Sequence, residues 1–517
     1  MLLVHPVREL VQNIPTLLVL LIAGHSRGDG GGWWSVGGAG LVVAASIARW
    51  FTTRYRITPE QVQLRKGLLR RQTITTPADR VRSVDVSASA LHRVLGLAKV
   101  EIGTGVSDSK KEGLALDGLG TAAAHGLRAE LLHRAGTSAA SGLVPASSGR
   151  ETGEDPGVET ELSRLRLSWI AYAPFTFSGI LTALAVAGVG SRLLGETNLD
   201  LSRTAAYQQA TGRVDAAPVW IAVLAGLVLV VVGIAVLSLF AYVLAFWGYR
   251  LTRHSRGSLH VQRGLVTTRA TSIDQRRLRG VEVSEPLLLR AVRGARLIAI
   301  TTGLRVGRGA QRGGSMIVPP APVTEVRRVA AAILRLLPST DGPGIGSPAA
   351  PRECSGLSAL IDGPLVGHGP RARRRRWLRA VLPGLLLLVA AAGLFRVGWP
   401  VWVVAVPLGW LAAAPALATD RYRSLGHVVG GGYLVTRFGS LVRRRSIVAT
   451  DGIIGWNIDA TFFQRRAGLV TLAATTAAGD QAYCVWDVPA AEALAMAERA
   501  IPGLLEQFLA PWPGLSP

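Results

Sequence analysis

Long apolar runs alternate regularly with strand-like stretches along this chain. Five runs approach or exceed a bilayer's width: Trp33 to Phe51, Trp169 to Gly190, Ala217 to Trp247, Trp377 to Phe395 and Trp399 to Ala418. A helix needs roughly 20 mainly apolar residues to cross a hydrocarbon core about 30 Å thick. A sixth run, Ile14 to Gly24, is shorter. Alone it also fits the apolar part of a cleaved signal peptide. Against that, "LIA" is a poor small-x-small cleavage site, and the run at Trp33 makes it half of a pair. The runs thus pair as 14–24 with 33–51, 169–190 with 217–247, and 377–395 with 399–418. Buried helices of a large soluble protein are the competing reading, but charge-free runs of this length are rare there.

Each pair is followed by a strand-rich stretch. After the first, "YRIT" and "QVQLRKGLLRRQTITT" predict two or three strands around a turn at Gly67. "RVRSVDVSAS" sets Val81, Val84 and Val86 against polar neighbours, imperfectly at its start, as a half-buried antiparallel strand does. "SALHRVLGL" carries Leu91, Val94 and Leu95 at helical spacing and closes on Gly96, and "AKVEIGT" is a further strand. A longer helix is predicted over about 118–135, and its counterparts over about 322–337 and 488–509. Short strands closed by a C-terminal helix predict a small twisted sandwich or partial barrel.

The stretches are copies of one unit. Without gaps, Gly67, Gly264 and Gly439 align, and Arg93, Arg290 and Arg465 fall into register, as do Thr104, Thr301 and Thr476. The apolar sets Val81/Leu278/Ile453, Val84/Val281/Trp456, Val86/Val283/Ile458, Leu91/Leu288/Phe463 and Val100/Leu297/Leu472 follow. Tyr55-Arg56, Tyr249-Arg250 and Tyr422-Arg423 end the three apolar pairs. The spacing is far above solenoid periods, so these are duplicated domains. Between them, 136–161 and 338–370 are rich in Gly, Pro, Ser and Ala and are expected to be disordered tethers.

Charge sets an orientation. Lys and Arg number 57 against 33 Asp and Glu, a formal net charge of +24, although only 17% of residues are charged and mean hydropathy is +0.33. A balance both apolar and basic points to nucleic acid or to an anionic membrane face as partner, and the apolar runs favour the membrane. Turns inside the pairs are short or balanced, whereas the outer flanks carry Arg54, Arg56, Arg164, Arg166, Arg250, Arg253, "RARRRRWLR" at 371–379, Arg421 and Arg423. By the positive-inside rule the flanks and the strand-rich domains are cytoplasmic. The arginine run at 371–376 therefore reads as a topology anchor touching anionic headgroups more readily than as a nucleic-acid site. Cys354 and Cys484 form neither a metal spacing nor a disulfide framework, as in a reducing compartment.

The arrangement resembles the bacterial pleckstrin-homology-like membrane proteins, the YdbT-like group of envelope proteins. The residues that carry the resemblance are His5-Pro6, "RYRIT" at 54–58 and the first-copy motif "GLLRR…TTPADRVRSVDV…LHRVLGLAKVEI". It weakens in copies two and three, where "PADR" becomes "DQRR" and then "ATDG". It implies an α+β membrane protein with six transmembrane helices in three hairpins, each followed by a small PH-like β-barrel or sandwich with a C-terminal helix. The hairpins would occupy 1–51, 162–248 and 371–420, and the PH-like domains 52–135, 249–337 and 421–510.

Chemistry is sparse. No H-E-x-x-H, Walker A, G-x-S-x-G, C-x-x-C or dinucleotide fingerprint occurs, so no catalytic residue, metal or cofactor is expected. His92 sits beside Arg93, but Leu289 and Gln464 replace it in the other copies, so it reads as a solvated surface histidine. Asp79 and Asp451 coincide, with Arg276 between them, and read as turn residues. The apolar runs carry almost no internal charge, which argues against a transporter. The resemblance implies a headgroup site on a basic hairpin, here Arg65, Lys66, Arg70 and Arg71 around the first turn and Arg443, Arg444 and Arg445 after the third. Plain surface charge at strand edges is the competing reading. The function expected is a non-enzymatic scaffold or anionic-lipid-binding assembly of the inner membrane. Its partners would be anionic phospholipids and a smaller related PH-like membrane protein or a second copy. The alternatives are an enzyme or transporter with a site between copies, and a nucleic-acid binder.

Overall fold

Strand pairing, more than chain order, defines the folded units. A computed structural model describes residues 54–58, 61–66, 72–77, 83–88, 92–93, 96–103, 114–124, 126–127, 159–176, 188, 218–254, 257–302, 316–337 and 354–504. Copy one supplies β1 (Arg54–Ile57), β2 (Gln61–Lys66), β3 (Gln72–Pro77), β4 (Ser83–Ala88), β5 (Leu97–Gly103) and β6 (Leu114–Gly120). β7 (Thr160–Arg164) precedes the second apolar pair. Copy two supplies β8 (Arg250–His254), β9 (Ser258–Arg263), β10 (Thr268–Asp274), β11 (Leu278–Pro286), β12 (Gly294–Thr301) and β13 (Met316–Pro322). Copy three supplies β14 (Gly426–Gly430), β15 (Tyr433–Phe438), β16 (Val442–Ala449), β17 (Ile453–Asp459), β18 (Leu469–Thr476) and β19 (Ala482–Pro489).

These strands form four antiparallel sheets: β1-β2-β3, β6-β5-β4-β10-β9-β8-β7, β13-β12-β11-β16-β15-β14 and β17-β18-β19. Each copy therefore folds as two three-stranded halves, and the second half of one copy continues edge to edge into the first half of the next. The first junction pairs Asp85 with Thr271 and Val86 with Ala270. The second pairs Glu282 with Ser446 and Val283 with Arg445. The alignment of Gly67, Gly264 and Gly439 maps one set onto the other, so both junctions have the same register. The chain separates into two compact units, each built around one fused sheet.

The eight helices named here are α1 (Val219–Phe246), α2 (Leu287–Ala291), α3 (Val323–Leu334), α4 (Cys354–Asp362), α5 (Gly369–Arg396), α6 (Trp402–Arg423), α7 (Phe462–Ala467) and α8 (Ala490–Ala500). In copy three, β14–β19 and α8 enclose a core of Leu434, Val448, Leu472, Val485, Val488, Met496 and Ala497. Ile300 of β12 enters that core, because the end of β12 meets the β18–β19 turn, where Gly479 N–H donates to Thr301 O at 3.2 Å. The turn glycines are required by geometry. Gly264 and Gly439 have φ of +107° and +102°, and a Cβ at either would lie 2.0 Å from the carbonyl oxygen three residues on.

Among the described residues, three helices are long and apolar enough to cross a membrane: Val223–Phe246, Gly369–Arg396 and Trp402–Arg423. The last two pack as a hairpin through Ala380, Ala414 and Ala418, with Trp377 and Val381 alongside. Trp410 Nε1 donates to Ala380 O at 2.9 Å. Small residues permit this approach, since a Cβ on Gly384 would strike Trp410 and Leu411. The expected runs at 14–24 and 33–51 lie outside the described residues.

Four expectations need correction. The tether 338–370 is ordered in its second half: Leu357, Leu360 and Ile361 lie at helical spacing on α4, and Leu360 and Ile361 are buried. Asp362 there pairs with Arg327 at 2.6 Å, and Val366 bridges to His427. Residues 160–164, divided between the first tether and the second hairpin, form β7 on the edge of β8. The run from Trp169 begins as a 3-10 helix, Leu167–Phe175, with Trp169 and Ala173 buried, and its continuation lies outside the described residues. His92 is buried, not solvated. It occupies the inward position of the short helical turn, which Leu289 and Gln464 fill in the other copies, both also buried.

Candidate functional site: arginines at the foot of the third hairpin

The basic residues expected to hold a headgroup are placed very differently from one another. Arg65 and Lys66 end β2, opposite Thr73 and Gln72. Gly67, Arg70 and Arg71 lie outside the described residues. Arg443, Arg444 and Arg445 occupy β16 and are turned to internal partners. Arg443 lies 3.4 Å from Asp420, and Arg444 lies 3.8 Å from Glu282 and 3.5 Å from Asp480. Arg445 is 9% exposed and donates to Gly363 O at 3.1 Å. Its burial, with Arg437 beside it, lowers its pKa to about 10, so it stays charged at neutral pH.

The aligned arginines of the short helical turns reach into the following copy. Arg93 donates to Leu265 O at 2.5 Å. Arg290 on α2 donates to Asp420, near the C-terminal end of α6, at 3.0 Å. Arg465 on α7 is exposed and makes no side-chain ion pair among the described residues. Asp451, expected as a turn residue, sits in the turn Thr450–Gly452 and also pairs with Arg279 of copy two at 2.9 Å.

The arginine run at 371–376 divides. Arg375 and Arg376 turn inward onto Asp487, whose side chain is fully buried on β19. The Arg376–Asp487 distance is 2.6 Å. Gln464 Nε2 donates to the same carboxylate at 2.9 Å and to Thr471 Oγ1 at 2.8 Å. Two guanidinium groups and an amide thus satisfy a carboxylate that would be very costly to bury alone. Arg371, Arg373, Arg374 and Arg379 are exposed and make no ion pair among the described residues.

A histidine pair lies next to this cluster. His368, just before α5, hydrogen-bonds through Nδ1 to Trp486 O at 2.6 Å and through Nε2 to Nδ1 of His427 at 3.0 Å. His427 on β14 is 2% exposed and lies 3.5 Å from Glu492. Burial, reinforced by His368, lowers the pKa of His427 to about 4, and burial also lowers that of His368. Glu492 would pull the other way, but desolvation of so enclosed a ring dominates. Both rings are therefore neutral at pH 7, one nitrogen of the pair donating and the other accepting. Among the described residues no group of three or more His, Cys, Asp or Glu is placed to hold a metal ion.

Nothing in the sequence marked Asp487 or the histidines, because their partners lie about 60 to 120 positions away. A signal existed nonetheless: six consecutive helical positions cannot all face solvent, so part of an arginine run must find a carboxylate.

Three stretches, 9–135, 196–337 and 380–499, match the bacterial PH domain family. The chain belongs to the bacterial PH domain family. Each matched stretch of this bacterial PH chain covers at least one apolar segment together with the strand-rich domain after it, so an apolar segment and the domain that follows it recur as one unit. No curated protein and no solved structure matches the chain.

Proposed function

We propose that this membrane protein is a non-enzymatic scaffold of the bacterial inner membrane, with its PH-like domains on the cytoplasmic side and anionic phospholipid headgroups as ligands. One observation carries the reading: the arginine run splits between a structural pair, Arg375 and Arg376 on Asp487, and four exposed arginines at the foot of α5 that make no ion pair among the described residues. The inner pair fixes where the outer four stand. Each basic side chain near an anionic surface contributes about 1 kcal/mol. Four of them hold the domain against such a surface and favour a cytoplasmic location for the foot of the hairpin. Lipid contact is thereby assigned to Arg371, Arg373, Arg374 and Arg379, while Arg443 to Arg445 brace the junction between copies two and three.

The test uses the full chain, because β4 shares a sheet with β10 and copy one is not self-contained. Thermal stability of the detergent-solubilised protein is measured against added phosphatidylglycerol and phosphatidylcholine. Phosphatidylglycerol is expected to raise Tm, and a variant with all four arginines replaced by Gln is expected to lose that response. Equal responses of both proteins to both lipids would overturn the assignment.

A further inference from the structure

Among the described residues two junctions are built between copies, and copies one and three each carry an unpaired half of a further one. Each built junction joins the fourth strand of one copy to the third strand of the next: β4 to β10 and β11 to β16. Copy three has the fourth strand, β17, and copy one has the third strand, β3. Neither has a strand on its outer edge among the described residues.

The exposed face of copy three matches the buried face of copy two position by position. Val283 on β11, opposite Arg445 in the built junction, is 4% exposed, whereas its counterpart Ile458 on β17 is 41% exposed. Leu288 on α2 is half-buried, and its counterpart Phe463 on α7 is 73% exposed; Phe462 beside it is 62% exposed. Arg290 is bonded to the next copy, and Arg465 is free of any ion pair among the described residues. An open strand edge flanked by exposed aromatic and branched side chains recruits another strand.

We infer that β17 and α7 of copy three form a docking surface for β3 of a second copy of this chain, so that molecules join head to tail in the membrane. The occupant follows from complementarity. The edge that this surface fits is a third strand, β10 and β16 are already paired, and among the described residues the third strand with an open edge is β3. The register follows as well. Carrying the shared pairing through the offsets between Gly67, Gly264 and Gly439 sets Ile458 opposite Thr73 and Asn457 opposite Ile74. Pro77, which lacks an N–H to donate, then falls one position beyond the last paired residue of the built junction. Such an interface is heterologous, so it closes into a ring if its rotation allows and otherwise runs on as an open chain of molecules.

The test is disulfide trapping in full-length chains carrying C354S and C484S. Two differently tagged chains, one with T73C and one with I458C, are co-expressed and the membranes mildly oxidised. A non-reducing gel is expected to show a band carrying both tags, and the double variant T73C/I458C a ladder. The pair I74C/N457C repeats the test one position along, and V86C/A270C at the first junction reports cross-linking inside one chain. The inference is overturned if the double variants give only internally closed monomers, or if neither pair cross-links while V86C/A270C does. Mass photometry of the solubilised protein tests it without cysteines: particles of two or more copies are expected, falling to single copies in I458K/F463K. A single-copy wild type overturns the inference.

Discussion

Arg376 holds a guanidinium nitrogen 2.6 Å from the carboxylate of Asp487, a side chain with no solvent exposure. Removing the negative charge leaves two arginines partly buried without a counter-ion. Breaking one side of a buried pair typically costs about 3–5 kcal/mol. D487N keeps the side-chain shape and tolerates the left-handed backbone at this position, where φ is 57°. It should therefore report the charge alone, as a loss of about 3 kcal/mol or more in denaturant unfolding of copy three. Wild-type stability in D487N would show that the arginine run is held by lipid or by packing.

The pair His427 and His368 predicts an acid-sensitive domain. With the folded pKa of His427 near 4 and an unfolded value of about 6.5, the unfolded chain binds the extra proton first as pH falls. Stability is fully present above about pH 6.5 and declines toward pH 4, by an amount on the order of 2–3 kcal/mol. Unfolding followed from pH 7.5 to 4.5 should show this slope, and H427Q should flatten it. An equal slope in both proteins would place the titrating group elsewhere.

Gly439 turns the chain between β15 and β16 at a φ that excludes side chains. G439A should cost about 2 kcal/mol or more, from backbone strain and from the contact with Val442 O. Gly430, on β14, has open space around a Cβ and an ordinary backbone. G430A should change stability by less than about 1 kcal/mol. Equal effects at the two positions would contradict the turn geometry.

Arg290 and Asp420 tie the helical turn of copy two to the end of α6. Both are partly exposed, so a double-mutant cycle with R290Q and D420N should give a coupling of about 1 kcal/mol, not the value of a buried pair. Coupling near zero would mean that Arg443, which shares Asp420 Oδ1, fully replaces Arg290 there.

Local features were legible in the sequence, and long-range pairings were not. Alternation around Val84 and Val86 predicted β4, the aligned turn glycines set the register of the copies, and the repeated arginine marked a position that bonds across copies. The fused sheets left no trace in any one stretch, because a period of two says that a strand has a neighbour but not which one. The helix α4 was hidden by the small residues around it, although Leu357, Leu360 and Ile361 carry its spacing. His92 misled because an imidazole at an inward position looks polar in a sequence, yet packs where Leu289 does.

The shared register of β4 with β10 and of β11 with β16 makes the number of copies a free parameter of the architecture. A duplicated hairpin-plus-domain unit arrives with one socket and one plug already matched to its neighbours. Gaining or losing a copy therefore requires no new interface, only an in-frame event of whole-unit length. A break inside a unit would instead strand half of two domains at once, so viable length variants of such chains should step by entire units.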